Sequence, residues 1–371
     1  MQRSLVGSEM CIRDRYQTKG QLALRHYVFN NGSSEYIGYA PSVMANDQLT
    51  WETTDQWNVG VDFGFLKNRI NGTVEFYLQN TKDLLLKRQL PVVSGFSSVM
   101  SNVGSTRNKG IEITLNTRNI MNRNFTWSTD LTFSANKEEI VELYNGKTDD
   151  VGNLWFIGQP IDVYYNYKKI GIWQNTENDL AEMAKFNEKG ANFKPGSIRL
   201  EDVDGDYKIT EEDKQILGSV RPKFVASMVN NFEFKGFDLS VFLYASVGGL
   251  LRNNIEFMEK PGRGNTVKVD YWTPTNPTNA FPRPSVDVEK LDYISTLGYD
   301  KADFLRIRNI TLGYTLPEMW SKKVLMDKIR IYLSANNPAI FTNFTGIDPE
   351  GANGRTAPSY STWMFGINLS M

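Results

Sequence analysis

The two side chains that carry most metal and nucleophile chemistry are nearly missing. Among 371 residues there is one histidine, His26, and one cysteine, Cys11. That excludes a His/Cys zinc cluster and a disulfide, and it leaves no thiol–histidine pair to propose. His26 reads as an ordinary surface or loop residue. No window approaches the ~20 apolar residues of a transmembrane helix, so a helical span is excluded. An excess of one charge is also lacking: 41 Lys and Arg face 42 Asp and Glu, a net charge of -1. Nucleic acid would call for a basic patch, so it is set aside as a partner. The N-terminus has neither an apolar core nor a small-residue cleavage site of a secretory signal. Ser8, Glu9 and Met10 make a poor lipid-attachment context for Cys11. The opening MQRSLVGSEMCIRDR resembles adapter-derived read-through. Residues 1–15 are therefore treated as a non-native leader, with the natural start expected well upstream.

What is present is strict alternation. In Leu49–Asn80, Val59, Val61, Phe63 and Phe65 share one face, opposite Asn58, Gly60, Asp62 and Gly64. After Lys67–Asn68–Arg69, the residues Ile70, Val74, Phe76 and Leu78 alternate with Arg69, Asn71, Thr73, Glu75, Tyr77 and Gln79. Period two means β-strand, because successive Cβ atoms point to opposite faces. The short polar link makes the pair a hairpin. Each arm has about a dozen residues, against the usual five or six of a soluble strand and the nine to eleven of a tilted bilayer-crossing one. The mean hydropathy of -0.40 does not conflict with a membrane barrel, whose strands need only every second residue apolar.

The pattern recurs down the chain. Ile111, Ile113 and Leu115 alternate with polar neighbours, as do Phe125, Trp127, Leu131 and Phe133 after a turn at Asn119–Asn124. Strands are expected at Lys223–Phe234, from Phe237 to Ala245, at Phe304–Tyr314 and Lys328–Ala335, and from Trp363 to Met371. Tyr16–Gln48 is turn-rich, with one weak strand signal near Leu22–Phe29. Long connections of about 81–107, 142–220, 251–303 and 337–359 alternate with short ones. A membrane barrel has that order, with short periplasmic turns and long outer loops. Single-chain bacterial barrels have even strand counts and do not leave sheet edges open. The nine or so strands are therefore expected to be part of a barrel.

The run DVDGDYKITEED places Asp202, Asp204 and Asp206 at positions 1, 3 and 5 of a calcium-loop template. Lys208 would offer its carbonyl at 7, with Thr210 at 9 and Asp213 at 12, so that several oxygens could wrap one hard cation. Position 6, normally glycine, is Tyr207. The bland alternative is a solvated acidic turn in which Thr210 caps a helix Glu211–Ile216, with Asp213 three residues on. An aromatic cluster in 155–173 includes Trp155, Tyr165, Tyr167 and Trp173. These could stack on sugar rings or peptide side chains; alternatively they pack the loop base or form an outer girdle. No carboxylate pair has a supporting histidine or lysine, and no Gly-rich phosphate loop opens a helix. The sequence gives no case for an enzyme.

In LTWETTDQWNVGVDFGF (49–65), SNVGSTRNKGIEITL (101–115), the Asp-rich run leading to GSVRPKF (218–224) and FKGFDLSVFLYASVGG (234–249), the chain resembles the SusC/RagA family of TonB-dependent outer-membrane transporters. The likeness continues through KADFLRIRNITLGYTLP (301–317), YLSANNPAIFTNFTGIDPEG (332–351) and MFGINLSM (364–371). It departs at Tyr207 and at the terminal Met371, where such barrels often end in an aromatic. The resemblance implies an all-β fold: the C-terminal part, about nine to ten antiparallel strands, of a transmembrane β-barrel of the 22-strand type. It also implies nutrient import through the outer membrane, usually of oligosaccharide and sometimes of peptide. The implied partners are a SusD-like surface lipoprotein as lid, the TonB–ExbB–ExbD complex acting through an N-terminal part expected to be missing here, and the lipid bilayer. A soluble extracellular glycan-binding β-protein and a passive porin are the alternatives.

Overall fold

The computed structural model describes residues 19–29, 34–253, 269–285, 291–351 and 359–371. The segment 1–15, expected to be a leader, lies outside them, as do Pro261 and parts of the 251–303 loop. In chain order the strands are β1 (Gln21–Phe29), β2 (Ser34–Met44), β3 (Thr53–Phe65), β4 (Ile70–Lys82), β5 (Leu85–Gln89), β6 (Ser98–Asn102), β7 (Ser105–Met121) and β8 (Phe125–Glu142). Then follow β9 (Val163–Tyr167), β10 (Lys169–Ile172), helix α1 (Glu177–Glu188), β11 (Ile198–Leu200), β12 (Lys214–Ser219), β13 (Phe224–Phe234), β14 (Phe237–Val247) and β15 (Leu250–Arg252). The series closes with β16 (Tyr299–Lys301), β17 (Phe304–Thr315), the single-turn helix α2 (Glu318–Ser321), β18 (Lys328–Thr342) and β19 (Thr362–Ser370).

Nine strands form one sheet in the order β19-β18-β17-β14-β13-β8-β7-β4-β3. They are the nine expected from alternation, and they make the chain all-β with an unclosed antiparallel sheet. By backbone packing the chain divides into two units. The first takes in the described residues of Met1–Gly60, Glu75–Ile111 and Asn136–Ile161; the second is Val61–Val74, Glu112–Ala135 and Asp162–Met371.

Within the first unit, β1 and β2 pair antiparallel, β2 meets β6 in parallel, and β5 pairs β6. Val103 and Ser98 are buried there. The sequence signalled only β1 of this four-stranded sheet. The other strands are short or rich in Tyr, Ser and Gly, and they show no clean period.

In the second unit the pairing register sorts the side chains by face. Phe232 sits opposite Trp127 and Leu239, Leu239 opposite Leu312, Leu312 opposite Leu333, and Leu333 opposite Phe365. The neighbouring row runs Phe125, Phe234, Phe237, Tyr314, Ile331 and Ile367. None of these large residues is buried, and several stay in the open: Phe237 is 50%, Leu312 47%, Leu333 45% and Phe365 71% exposed. The opposite face is polar. Thr132 and Ser227 share a 2.6 Å hydrogen bond, and Asn309 donates to Asn336 at 2.6 Å and to Ser334 at 3.0 Å. One polar group on the apolar face, Asn230, is satisfied within it: Trp127 Nε1 and Thr129 Oγ1 donate to its Oδ1 at 3.1 and 2.7 Å.

The turn between β13 and β14 needs two left-handed residues, and Lys235 and Gly236 have φ of 46° and 89°. Such a two-residue turn matches the twist of the strands it joins. Strand β18 runs past its expected end at Ala335, so the 337–359 loop begins later, after Thr342. The sequence looked terminated because Asn337 and Pro338 fall in a bulge between the Asn309↔Asn336 and Ile307↔Ala339 pairs, a place in a sheet that tolerates proline.

Candidate functional site

The connection from β8 to β13 and the described parts of the one between β15 and β16 carry apolar cores that they partly share. In the first, α1 starts at Thr176, whose hydroxyl accepts from the Asp179 amide, an N-cap that satisfies one orphan donor of the first turn. The structure places α1 one residue wider at each end than the 178–187 of the sequence reading. Its inner residues Met183 and Phe186 pack with Phe193 on Trp173. Trp173 is 1% exposed, with the Arg199 guanidinium 4.4 Å from its ring centre. Arg199 also bonds Asp179 and Glu182 at 3.1 and 2.6 Å. The expectation that Trp173 offers a stacking surface is therefore corrected: a ring this buried is core.

A second cluster joins Ile172, Ile198 and Leu200 to Trp272, Ile294 and Leu297. Tyr167 lies at its margin, edge-on to Tyr293 at 5.5 Å, and donates to Glu211 at 3.3 Å. Burial, then the Glu211 charge, pushes its phenol up to about 12. Tyr165 is half-buried on β9 opposite Ile216. Trp155 belongs to the other unit, half-buried at the Asp150–Trp155 bridge. Within the second unit, Trp173 is withdrawn into the core while Tyr165 and Tyr167 stand half-buried on β9.

In the Asp-rich loop the carboxylates accept from amides of the loop itself. Asp202 accepts from the Gly205 and Tyr207 amides, both at 2.9 Å, and Asp206 accepts from Lys208 at 2.7 Å. Tyr207, in glycine's place, takes φ of 62°, a left-handed conformation that costs a side-chain-bearing residue about 1–2 kcal/mol. Its ring is held edge-on to Phe186 at 5.5 Å, with Lys185 Nζ 5.1 Å from the ring centre. The Asp202, Asp204 and Asp206 carboxylates come within 4.8 Å of one another. At Asp204 the Asp206 amide pulls the pKa down, but desolvation and the neighbouring charges of Asp206 and Asp213 leave it raised.

Asp213 is placed elsewhere. It is fully buried, and its oxygens accept from the Val203 and Thr210 amides at 2.8 and 2.7 Å. The capping box at Thr210 forms, but the helix expected to reach Ile216 stops at Asp213. Lys214 turns extended, and β12 pairs with β9 instead.

Two features had no sequence signal. A cleft of about 550 Å³ is lined by Lys168, Lys169, Gln215, Phe281, Tyr299 and Asp300, among others. Lys169 Nζ donates to the Asn279 and Ala280 carbonyls at 2.7 Å each. Burial lowers its pKa against the opposing pull of Asp300. Lysine and aspartate more than a hundred residues apart cannot be paired by spacing.

The second is a latch on the DPEG loop. Arg306 Nη2 reaches Asp348 at 2.7 Å, and both side chains are nearly buried, 4% and 8% exposed. Its Nε lies 2.7 Å from Glu350 but off the line of the N–H, so that contact is an ion pair without an aligned hydrogen bond. Glu350 is shared with Arg308.

The sequence profile described as "TonB dependent receptor-like, beta-barrel" matches residues 16–338. TonB-dependent receptor P3 of Formosa agariphila is 32% identical over 370 aligned residues, covering 91% of this chain and 36% of that protein. TonB-dependent receptor SusC of Bacteroides thetaiotaomicron is 30% identical, covering 92% and 35%. The chain thus spans about a third of the length of the curated relatives it matches. Among solved structures, the RagAB peptide transporter superposes with a TM-score of 0.74 at 23% identity, over 95% of this chain and 38% of that one. The RagAB peptide importer in its open-open state gives 0.72 at 25%, over 96% and 38%.

Proposed function

The chain belongs to the TonB-dependent receptor-like β-barrel family, in its SusC/RagA branch, and from that premise we propose that it forms the wall and outer crown of a nutrient importer. The family is one of outer-membrane transporters and receptors, not enzymes, and the chain's place is the outer membrane. The observation that carries the reading is the two-faced sheet. Its apolar face leaves Phe237, Leu312, Leu333 and Phe365 open. Apolar surface contiguous on that scale marks an interaction face, here lipid. A soluble glycan-binding sandwich would have to bury it. The polar face then lines the lumen, and the short turns are periplasmic.

The cargo we propose is an oligosaccharide, admitted past the 142–220 and 251–303 loops beneath a SusD-like lipoprotein lid. Energy would come from TonB–ExbB–ExbD through the part of the transporter outside this chain. Peptide is the second reading, kept by the fold shared with a peptide importer. In the crown, a calcium ion would act as a clamp, held by Asp202, Asp204 and Asp206 with the Lys208 carbonyl and Thr210; Asp213 would brace the loop from beneath. The test is uptake of fluorescent oligosaccharides and peptides by cells with and without the gene. Uptake of a glycan, abolished on loss of TonB, supports the reading. Peptide uptake alone selects the second reading, and uptake indifferent to TonB overturns both.

A further inference from the structure

The short connections share a chemistry that import does not require. Along one end of the sheet lie the turns 66–69, 122–124 and 235–236 and the connection 316–327. They hold Lys67, Arg69, Arg123, Lys235, Lys322 and Lys323 against Glu318 and Asp327. Two of the cations are occupied: Arg69 donates to the Arg118 and Asn119 carbonyls, and Lys322 pairs with Glu318 at 3.2 Å. Lys67, Arg123, Lys235 and Lys323 are exposed and make no ion pair among the described residues. Lys235 stands 5.3 Å over the ring of Phe234, a residue of the apolar face.

The 316–327 connection adds a second, independent feature. Its short helical turn leaves Met319, Trp320, Val324 and Leu325 at 67%, 55%, 57% and 88% exposure, while Ser321 is turned inward onto the Glu318 and Asp327 carbonyls. The Leu316 amide bonds the Ile329 carbonyl at 2.9 Å, so the chain leaves directly from the edge of the apolar face. There Phe237 and Tyr314 have ring centres 4.5 Å apart. Going outward, the order is aliphatic strand face, aromatic row, then unpaired cations. That is the order of hydrocarbon, interface and phosphate in a leaflet.

We propose that this end of the barrel is a collar for anionic phospholipid headgroups of the periplasmic leaflet, with Lys67, Arg123, Lys235 and Lys323 on the phosphates and Trp320, Val324 and Leu325 laid into the interface. It rests on the membrane reading above and adds a lipid class to it. Continuity with the lipid-facing sheet, and complementarity between unpaired cations and phosphate, fix the occupant.

The experiment extracts the intact protein in native nanodiscs from vesicles of phosphatidylethanolamine with a minor share of phosphatidylglycerol, and measures the retained lipid ratio by mass spectrometry. The parent is compared with a variant carrying Lys67→Gln, Arg123→Gln, Lys235→Gln and Lys323→Gln, and with one carrying Lys→Arg at the three lysines. Heat-shifted migration on gels reports the folded barrel for each. Phosphatidylglycerol enriched about threefold or more in the parent and the Arg variant, at the bulk ratio in the Gln variant, and diminished in high salt, supports the collar. A folded barrel with equal ratios in parent and Gln variant overturns it and leaves the membrane reading standing. A protein that never enters the vesicles overturns both.

Discussion

Replacing Arg306 with Met should release the DPEG loop. The side chain is 4% exposed and is the cation between Asp348 and Glu350, which are 8% and 24% exposed. Asp348 Oδ1 accepts from Arg306 and from the Glu350 amide, and Oδ2 from the Ser359 hydroxyl at 2.5 Å. Methionine fills much of the volume but leaves Asp348 buried without a counter-charge. Removing one member of a buried pair costs about 3–5 kcal/mol, equivalent to an opening equilibrium on the order of a hundredfold or more higher. Hydrogen exchange at the Glu350 and Gly351 amides in the folded barrel reads that equilibrium. Arg308, 31% exposed against 4% for Arg306, is the control, since the more solvated cation contributes less. Acid gives a second arm. Burial pushes the Asp348 carboxyl up, but the Ser359 hydroxyl, the Glu350 amide and the Arg306 charge outweigh it and hold the pKa below the ordinary value. The stabilisation is therefore complete above the free-carboxylate pKa of about 3.9 and is lost as pH falls through the lower folded value. The opening equilibrium, read as protection relative to the intrinsic exchange rate at each pH, should be flat near neutrality and rise only in strong acid. Equal protection in the Arg306→Met and Arg308→Met proteins would refute the latch.

The facing of the sheet can be tested at two neighbours on β4. Phe76→Arg puts a charge in hydrocarbon at about 2–4 kcal/mol and should cut the heat-modifiable folded fraction in outer membranes, while Glu75→Gln should leave it unchanged; equal assembly of both would reverse the assignment. For the calcium clamp, added Ca²⁺ should raise the resistance of the 163–217 segment to proteolysis, and chelator should lower it. Asp204→Asn with Asp206→Asn should abolish the difference, and a segment indifferent to Ca²⁺ carries no such clamp.

The nine-stranded sheet was legible because water or polar lumen on one side and lipid on the other impose alternation on every strand. Val241 and Ser240, adjacent on β14, face opposite sides in the paired register, and the same period stands in their letters. Legibility failed where backbone irregularity or distant pairing decides the outcome. Asn337 and Pro338 read as a strand end and are a bulge in β18. Glu211–Ile216 read as a helix, because the local cap is real but the β9 edge recruits Lys214–Ser219. In the crown, the turn around Asp202 was readable from spacing. Trp173's burial, the Lys169 cleft and the Arg306–Asp348 latch depend on segments joined by folds that have no period.

The two-residue Lys235–Gly236 turn divides the chain's freedom to change. A turn that needs both residues left-handed sets the register of β13 against β14, and one added residue there would flip each following side chain to the wrong face. At the other end, doubling a connection adds only about 0.6 kcal/mol of closure entropy. The connection holding α1 offsets even that with a core of its own around Trp173. Whole loop segments can thus be exchanged on an unaltered frame, and a chimera that transplants residues 143–223 from a relative should keep its strands in place.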